Sequence, residues 1–347
     1  MNLKLKCLPY GSMPYKDEAH ITRVMIKLFE KNPYLPLVPL ISEDENILMR
    51  TLEKLPGISM NGKKIVLNII SPFFPEDAEK MEKIYNNPSD EGLESYSSDS
   101  FYSEMFFKMI ERTQPSEAVF HLLGPFSLSQ TIVNMEENQL LADKFYRKYI
   151  IQAETLKALW FIKKVKSLSP DTTPLIIFEE PKFNEFGVIS KSNPDVTREV
   201  VVNLFSKIFQ VLRSAGAGVG VQCFNKCDWQ IPLDAGIDIL SFGAYTNPAN
   251  ITIIADKITK FLEGGGYINW GIVPTMTEAI VKSLTTDFLV TRFMKTVQGL
   301  VDEGVKRELI YRRSMVSVQG EFYNLPLMFA EKALMSSAQL ADKIFKK

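Results

Sequence analysis

The chain has 347 residues, of which 46% are hydrophobic and 23% are charged, a composition that is typical of a globular protein and excludes a disordered one. The 40 Lys and Arg residues against 41 Asp and Glu residues give a net charge of −1, which excludes a generally basic surface for nucleic acid. No apolar run approaches the ~20 residues that a membrane-spanning helix needs, and the start of the chain does not resemble a secretory signal. The chain contains only three cysteines, which argues against a framework of disulfide bonds. We therefore expect a cytoplasmic protein without nucleic-acid or membrane partners.

Short segments rich in β-branched and aromatic residues alternate with long helical patterns along the chain. In chain order the predicted strands are residues 3–8, 35–41, 64–70, 118–123, 174–179, 218–223, 238–242, 267–273 and 315–319. Most of them are continuous apolar runs, which is typical of parallel strands that helices cover on both faces.

The longer intervening segments have helical patterns, with apolar residues recurring every three or four positions. The predicted helices are residues 17–31, 138–166, 196–214, 250–263 and 325–345. One polar and acidic segment, residues 86–103, departs from the alternation. It is interpreted either as a lid over a barrel mouth or as a solvated excursion between a strand and a helix.

This alternation predicts an α/β protein with a single (β/α)8 TIM-type barrel over residues 1–347. Nine predicted strands leave one short strand to spare. The barrel is expected to carry an extra N-terminal segment and a polar insertion near residues 86–103. An open doubly wound sheet is the alternative. It is disfavoured because no Gly-x-Gly-x-x-Gly loop follows any predicted strand.

In a barrel, reactive groups come from the carboxyl ends of the strands and the loops after them. In chain order these ends carry Gly-Ser-Met-Pro at 11–14, His121 followed by Gly-Pro-Phe-Ser-Leu at 124–128, Phe-Glu-Glu-Pro at 178–181, Gln222 to Trp229, Asp234 to Phe242, Trp270 to Thr275, and Val318 to Gly320. Only His20 and His121 are histidines, which excludes a site built from a histidine cluster.

These segments, in this order, resemble the superfamily of uroporphyrinogen decarboxylase and the catalytic domain of cobalamin-independent methionine synthase. The resemblance spans nearly the whole chain and is closer to the methionine synthase branch. It implies a TIM-type barrel and methyl transfer to a thiol, with a small thiol or an amino-acid-like substrate. A corrinoid protein that carries the methyl group is the partner that such chemistry would use.

The methyltransferase branch depends on zinc, which converts a thiol into a thiolate nucleophile. The His-x-Cys pair of the family falls on Gln222 and Phe224 or, with a slip of one residue, on Val221 and Cys223, and neither register restores the histidine. We therefore expect a degenerate zinc site in which Gln222 and Cys223 are the remaining metal candidates. Cys223 and Cys227 are interpreted either as two metal thiolates or as two unrelated thiols.

Glu179 and Glu180 are the leading candidates for function. Adjacent strand residues point to opposite sides, so only one of them faces a barrel interior. The resemblance assigns to Glu179 the binding of a substrate amino group, whereas a helix-capping or loop-anchoring acid is the structural alternative. His121 is interpreted as either a core side chain or a proton shuttle.

Three further residues complete the predicted substrate site. Gly11 and Ser12 are expected either to bring the backbone close to a ligand or to shape a turn. Trp270 is expected either to wall a pocket or to cap the core.

Three functions remain open. The first is a methyltransferase-like enzyme, the second is a non-catalytic protein that binds a metabolite or another protein, and the third is a decarboxylase of the uroporphyrinogen type. The decarboxylase is ranked last because a polycarboxylate needs arginines near the first strand, and none precedes Arg23.

Overall fold

Six parallel strands form the main sheet of the protein, in a computed structural model that describes residues 2–42, 45–62, 64–98 and 102–345. The strands are β1 (Ile58–Asn61), β2 (Lys64–Leu67), β3 (Glu117–Leu123), β4 (Ile132–Val133), β5 (Thr173–Glu179), β6 (Gly218–Cys223), β7 (Ile239–Phe242), β8 (Tyr267–Pro274) and β9 (Ser314–Gln319). The main sheet has the order β3-β5-β6-β7-β8-β9, and all of its neighbours are parallel. All residues of β3, β6 and β8 are buried, as expected of strands that are covered on both faces. The predicted α/β class with a parallel sheet is confirmed.

Helices separate most of the strands and surround the sheet. They are α1 (Glu18–Phe29), α2 (Ile47–Leu52), α3 (Phe74–Asn86), α4 (Asp90–Glu94), α5 (Ser103–Thr113), α6 (Pro125–Ser129), α7 (Lys144–Leu168), α8 (Phe186–Ser192), α9 (Arg198–Ser214), α10 (Gln230–Ala235), α11 (Ala255–Glu263), α12 (Glu278–Ser283), α13 (Thr286–Asp302), α14 (Arg307–Arg312) and α15 (Leu327–Phe345). In the described part of the chain, none of these helices combines the length and the apolar composition needed to cross a membrane.

The two edges of the main sheet are met by segments from the start of the chain. On the β9 edge, Cys7 forms a parallel bridge with Val316, and on the β3 edge Tyr34 forms one with Val119. A third parallel bridge joins Ser12 to Leu37, so the two N-terminal segments also contact each other. The predicted strands at 3–8 and 35–41 are therefore isolated bridges rather than continuous ladders.

The predicted strand at 64–70 does not belong to the main sheet. Lys64–Leu67 lies instead in a second sheet of order β1-β2-β4, where β1 is antiparallel to β2 and β4 is parallel to it. The apolar sequence of this strand is compatible with either sheet. Its place in the second sheet follows from its pairing with β4, where Ile65 lies opposite Ile132. A strand is confirmed over Lys64–Leu67, and it lies outside the parallel main sheet.

The polar insertion packs against the helical layer. It contains α4, and the lysine Nζ of Lys163 in α7 lies 3.0 Å from the Asp90 carboxylate, while Trp160 Nε1 donates a hydrogen bond of 3.3 Å to Glu94. These contacts lie on the second half of α7, which leads to the amino end of β5 rather than to the carboxyl end of the sheet. The interpretation as a lid is not supported for the described part of this segment, and residues 99–101 lie outside the described residues.

Candidate functional site

His121 and Glu179 lie side by side near the carboxyl ends of β3 and β5. The register pairs Leu123 with Glu179, so His121 and Glu179 point to the same side of the sheet. His121 Nδ1 is 3.0 Å from Glu179 Oε1, and Nε2 is 3.0 Å from the carbonyl oxygen of Pro9. The two residues are only 3% and 8% exposed, so water screens this contact weakly. Two residues that the sequence singled out are thus in direct contact.

The Pro9 carbonyl determines where the imidazole holds its proton. A carbonyl only accepts hydrogen bonds, so Nε2 must carry a hydrogen, and the neutral ring then has none on Nδ1. The contact between Nδ1 and Glu179 therefore requires one further proton, either on the imidazole or on the carboxyl group. Burial raises the pKa of Glu179, and contact with His121 opposes this effect only in part. Nδ1 makes no hydrogen bond of ordinary geometry with any described residue, so its approach to Glu179 is a close contact that one proton would convert into a hydrogen bond.

Glu321 brings a second carboxylate to the same place. Tyr10 donates its hydroxyl hydrogen to Glu321 Oε1 at 2.7 Å, and the Ser12 amide donates to Oε2 at 2.8 Å, joined there by the Ser12 hydroxyl. The Tyr10 phenol also contacts Glu179, and burial followed by the charges of Glu179 and Glu321 raises its pKa well above the usual value. Tyr10 therefore keeps its proton and bridges the two carboxylates. We call Tyr10, Ser12, His121, Glu179 and Glu321 the mouth cluster.

The mouth cluster contains one carboxylate, that of Glu321, which no neighbouring cation in the described part of the chain offsets. Among the described residues, Glu321 is half-buried and has hydrogen-bond donors but no lysine or arginine at ion-pair distance. The nearest buried cation, Arg50, donates to the carbonyl groups of Leu35 and Pro36 at 2.9 and 2.6 Å. Burial lowers the Arg50 pKa to about 10, so it remains charged at neutral pH and fixes the 35–36 segment. A positively charged ligand would complement the cluster.

Gly11 precedes Ser12 in a backbone conformation that other residues rarely adopt. Its φ is +103°, and a Cβ atom would lie 2.4 Å from the ring of Phe322. The glycine lets the backbone turn there and aims the Ser12 amide at Glu321. Gly11 thus positions the cluster through its backbone.

Glu180 faces away from the mouth cluster. Its oxygens accept hydrogen bonds from the Phe126 and Ser127 amides at 2.9 and 2.7 Å, at the start of α6. Gly124 makes room for this side chain, because a Cβ atom there would lie 2.3 Å from Glu180 Oε1. Burial raises the Glu180 pKa to about 7 against the effect of these donors. Glu180 is therefore the helix-capping acid that the sequence analysis gave as the structural alternative. Because its carboxyl group is bonded to the start of α6, it is not free to bind a substrate.

Trp270 belongs to the layer between the sheet and the helices. It is fully buried, its ring centroid lies 5.3 Å from those of Phe242 and Phe293, and Nε1 donates to the Ser314 hydroxyl at 2.8 Å. Its neighbour Asn269 points to the opposite side, toward the polar interior. Trp270 therefore packs the core, and the interpretation as a pocket wall is corrected.

The residues proposed for zinc do not fit a zinc site. Gln222 and Cys223 are adjacent in β6 and point to opposite faces, so they cannot share one ion. Gln222 Oε1 accepts from the Ser241 hydroxyl at 3.1 Å. Burial, followed by contact with Cys223, raises the pKa of the Cys227 thiol well above its usual value, which opposes the thiolate that a metal needs. Within the described ranges, no group of three or more His, Cys, Asp or Glu side chains has an arrangement that could hold a metal ion.

A row of polar side chains continues from the mouth cluster across the sheet interior. Asn269 Nδ2 donates to the hydroxyls of Ser241 and Ser317, both at 2.8 Å, and Ser241 in turn donates to Gln222. Gln222 is the register partner of Glu179, so the row starts at the cluster. These side chains bond to one another inside an otherwise apolar sheet, and Asn269 Oδ1 alone among their oxygens is buried without a partner in the described part of the chain.

Sequence reasoning missed Tyr10, Glu321 and the row that ends at Ser317. Tyr10 and Glu321 stand two residues after predicted strands, so the rule that yielded His121 and Glu179 also applies to them. Asn269 and Ser241 are polar residues in the middle of apolar strands. Because buried polar groups are usually hydrogen-bonded, this pattern predicts that their side chains bond to other polar groups inside the sheet.

Comparisons with known proteins identify no family. No family model matches the chain, and no curated protein matches it. Among solved structures, the chain is similar to a native Bacteroidetes-affiliated GH5 cellulase linked with a polysaccharide utilization locus. The two share 9% sequence identity, and the match covers 75% of this chain and 81% of the cellulase with a TM-score of 0.43. This likeness is too distant to assign a function.

Proposed function

We propose that the protein is an enzyme that performs acid–base chemistry on a small molecule bearing an amino group, bound at the mouth cluster. The observation that carries this proposal is the buried contact of 3.0 Å between His121 Nδ1 and Glu179 Oε1, across which one proton can be exchanged. A pair of this kind can accept a proton from a bound substrate and return it, which is the task of a general acid–base catalyst.

The architecture that we propose for this enzyme is a closed (β/α)8 barrel. The six parallel strands would be completed by the N-terminal segments around Cys7 and Tyr34, whose bridges reach both edges of the main sheet. Ser12 and Leu37 would join these two segments and close the ring. Such a ring explains why Tyr10, His121, Glu179 and Glu321 meet at one end, since catalytic groups of barrels lie at the carboxyl ends of the strands.

The charge of the mouth cluster supports an ammonium group as the recognised part of the substrate. A protonated amine would donate charge-assisted hydrogen bonds to Glu321 and Glu179, which the described part of the chain does not pair with a lysine or arginine. This role matches the amino-group binding that the resemblance implies for Glu179.

Methyl transfer to a thiol is the narrower proposal that follows from the resemblance. Because the described residues offer no fitting zinc ligands, the thiol would have to lose its proton to a general base, and the His121–Glu179 pair is the candidate. A small amino thiol as acceptor and a methylated corrinoid protein as donor remain part of this proposal.

A non-catalytic binding protein is the second candidate, favoured by the burial of the cluster. His121 is 3% exposed and Tyr10 5%, so a substrate reaches them only if the surrounding loops move. A uroporphyrinogen-type decarboxylase is disfavoured, because both guanidinium nitrogens that Arg50 presents are bonded to backbone carbonyls.

Binding of an amino thiol tests the proposal directly. We expect cysteamine to shift the imidazole ¹⁵N signals of His121 but not those of His20, which is the internal control, and 2-mercaptoethanol, which lacks the amino group, to shift neither. Glu321→Gln should weaken cysteamine binding about tenfold, since it removes a charged acceptor. If cysteamine and L-cysteine leave His121 unshifted at millimolar concentrations, amino-group recognition at this cluster is excluded. Binding without any methyl loss from methylcobalamin would instead exclude the narrower proposal of methyl transfer.

A further inference from the structure

A cavity of about 800 Å³ lies in the helical layer, between α3, α7 and α9 and outside the main sheet. No member of the mouth cluster lines it, so it is a separate feature of the molecule. Its volume falls within the range of small-molecule sites, roughly 300 to 1,000 Å³.

The floor of the cavity is apolar except for one amide. Ile151 of α7 and Val200, Leu204 and Val211 of α9 supply the apolar part. Gln152 lies among them and is only 5% exposed, yet its side chain has no hydrogen-bond partner within the residues that the structure describes. The amide atoms themselves still reach solvent, so a polar atom of a ligand can replace the water that bonds to them.

The rim of the cavity is mainly basic. Four basic side chains line it, Lys144, Arg147, Lys148 and Lys207, against the two acids Glu82 and Glu199. Glu82 is already paired with Lys148 at 2.6 Å, and Arg147 donates to the carbonyl groups of residues 141 and 142 at 2.7 and 2.8 Å.

The remaining charges leave two lysines free. In the described part of the chain, Lys144 and Lys207 have no acidic partner, and Glu199 is held at the start of its own helix by Thr197 and backbone groups. The cavity therefore combines free cations on its rim with an apolar floor that contains one solvent-accessible amide.

We propose that this cavity binds a small organic anion, a carboxylate or phosphate ester with an apolar body. Lys144 and Lys207 pair with the anionic group. The apolar body lies on Ile151 and Leu204, and the Gln152 amide bonds to a polar atom of the ligand. This site is independent of the mouth cluster, and its test does not depend on the acid–base function.

The probe for this proposal is 8-anilinonaphthalene-1-sulfonate, which joins an anionic group to an apolar body and fluoresces on binding. We expect the native protein to bind it, and the double variant Lys144→Ala/Lys207→Ala to bind it roughly fivefold more weakly, because two exposed charges are lost. Lys191→Ala/Lys260→Ala, which removes two exposed lysines outside the cavity, is the matched control and should leave the affinity unchanged. The uncharged N-phenyl-1-naphthylamine should bind the first double variant and the native protein equally.

A second variant places a charge on the floor. Gln152→Glu keeps the size of the side chain but adds a negative charge, and we expect it to weaken anion binding more than tenfold. Thermal unfolding is used to establish that each variant is folded before it is titrated. If Gln152→Glu does not fold, the test of anion binding rests on the Lys144→Ala/Lys207→Ala variant. The proposal is overturned if Lys144→Ala/Lys207→Ala binds 8-anilinonaphthalene-1-sulfonate as tightly as the native protein does. It is also overturned if the control variant Lys191→Ala/Lys260→Ala loses the same affinity.

Discussion

At the scale of single residues, the energy of the contact between His121 and Glu179 can be separated from that of its surroundings. We expect a double-mutant cycle with His121→Gln and Glu179→Gln to give a coupling energy of about 1–3 kcal/mol in urea unfolding, because the two side chains are buried and in close contact. The matched control is the pair His20 and Glu331, whose atoms are 2.8 Å apart but whose side chains are 35% and 34% exposed. Its coupling should stay below about 0.5 kcal/mol. Equal coupling in both pairs would contradict the buried one-proton contact.

Glu180 should make stability depend on pH in a defined direction. Burial raises its pKa from 4.5 to about 7, so between these values the folded protein holds a proton that the unfolded chain has released. The free energy of unfolding therefore falls as pH rises through this range, by up to about 3 kcal/mol from this group. The Glu180→Gln variant has no carboxyl group that titrates at this position. The difference in the free energy of unfolding between this variant and the native protein, measured by urea unfolding from pH 5 to 8, should therefore change by about 3 kcal/mol. A difference that is constant with pH would show that the carboxyl group titrates normally.

At the scale of elements, Lys157 ties α7 to two neighbouring segments. Its side chain is fully buried, and Nζ donates to the carbonyl groups of Glu53 and Ser97 at 3.0 and 3.2 Å and approaches the Glu53 carboxylate at 3.3 Å. Lys157→Met removes the donor of these half-buried acceptors, and we expect it to lower the free energy of unfolding by roughly 2 kcal/mol. Lys164→Met, on the same helix but at a 42% exposed side chain, should change it by less than about 0.5 kcal/mol. Similar losses in both variants would contradict a specific role of Lys157.

The predictable part of the structure is local. The six strands of the main sheet follow from continuous apolar runs, and His121 and Glu179 follow from their places near strand ends. The strand at Lys64–Leu67 has the same apolar pattern, but its sheet is chosen by pairing with Ile132, about 65 residues away in the chain. The roles of Glu179 and Glu180 depend on which one faces α6, and alternation alone leaves that choice open. Arg50 and Lys157 were not singled out, since charged residues are almost never fully buried unless they are paired.

At the scale of the whole molecule, the chain start determines whether the sheet is an open layer or a ring. Leu8 donates its amide hydrogen to the Val316 carbonyl at 2.9 Å, and the Val316 amide donates to Lys6 at 3.0 Å. On the other side, Val119 donates to Pro33 at 2.8 Å, and Met13 donates to Leu37 at 2.7 Å between the two segments. In an open sheet these bonds would belong to frayed edges, whereas in a ring they break only when the whole domain unfolds.

Native-state hydrogen exchange distinguishes these two arrangements. If the ring is closed, the amides of Leu8, Met13 and Val316 should exchange with protection within about 2 kcal/mol of the amide of Gly220, which lies in the central strand β6. The exposed amide of Lys226 serves as the unprotected reference. Exchange of Leu8 and Met13 within minutes, beside a protected Gly220, would mean that the N-terminal segments only rest on the sheet. Tyr10 and Ser12 would then be carried on a loosely held segment, and the bridge between Glu179 and Glu321 would not persist in solution.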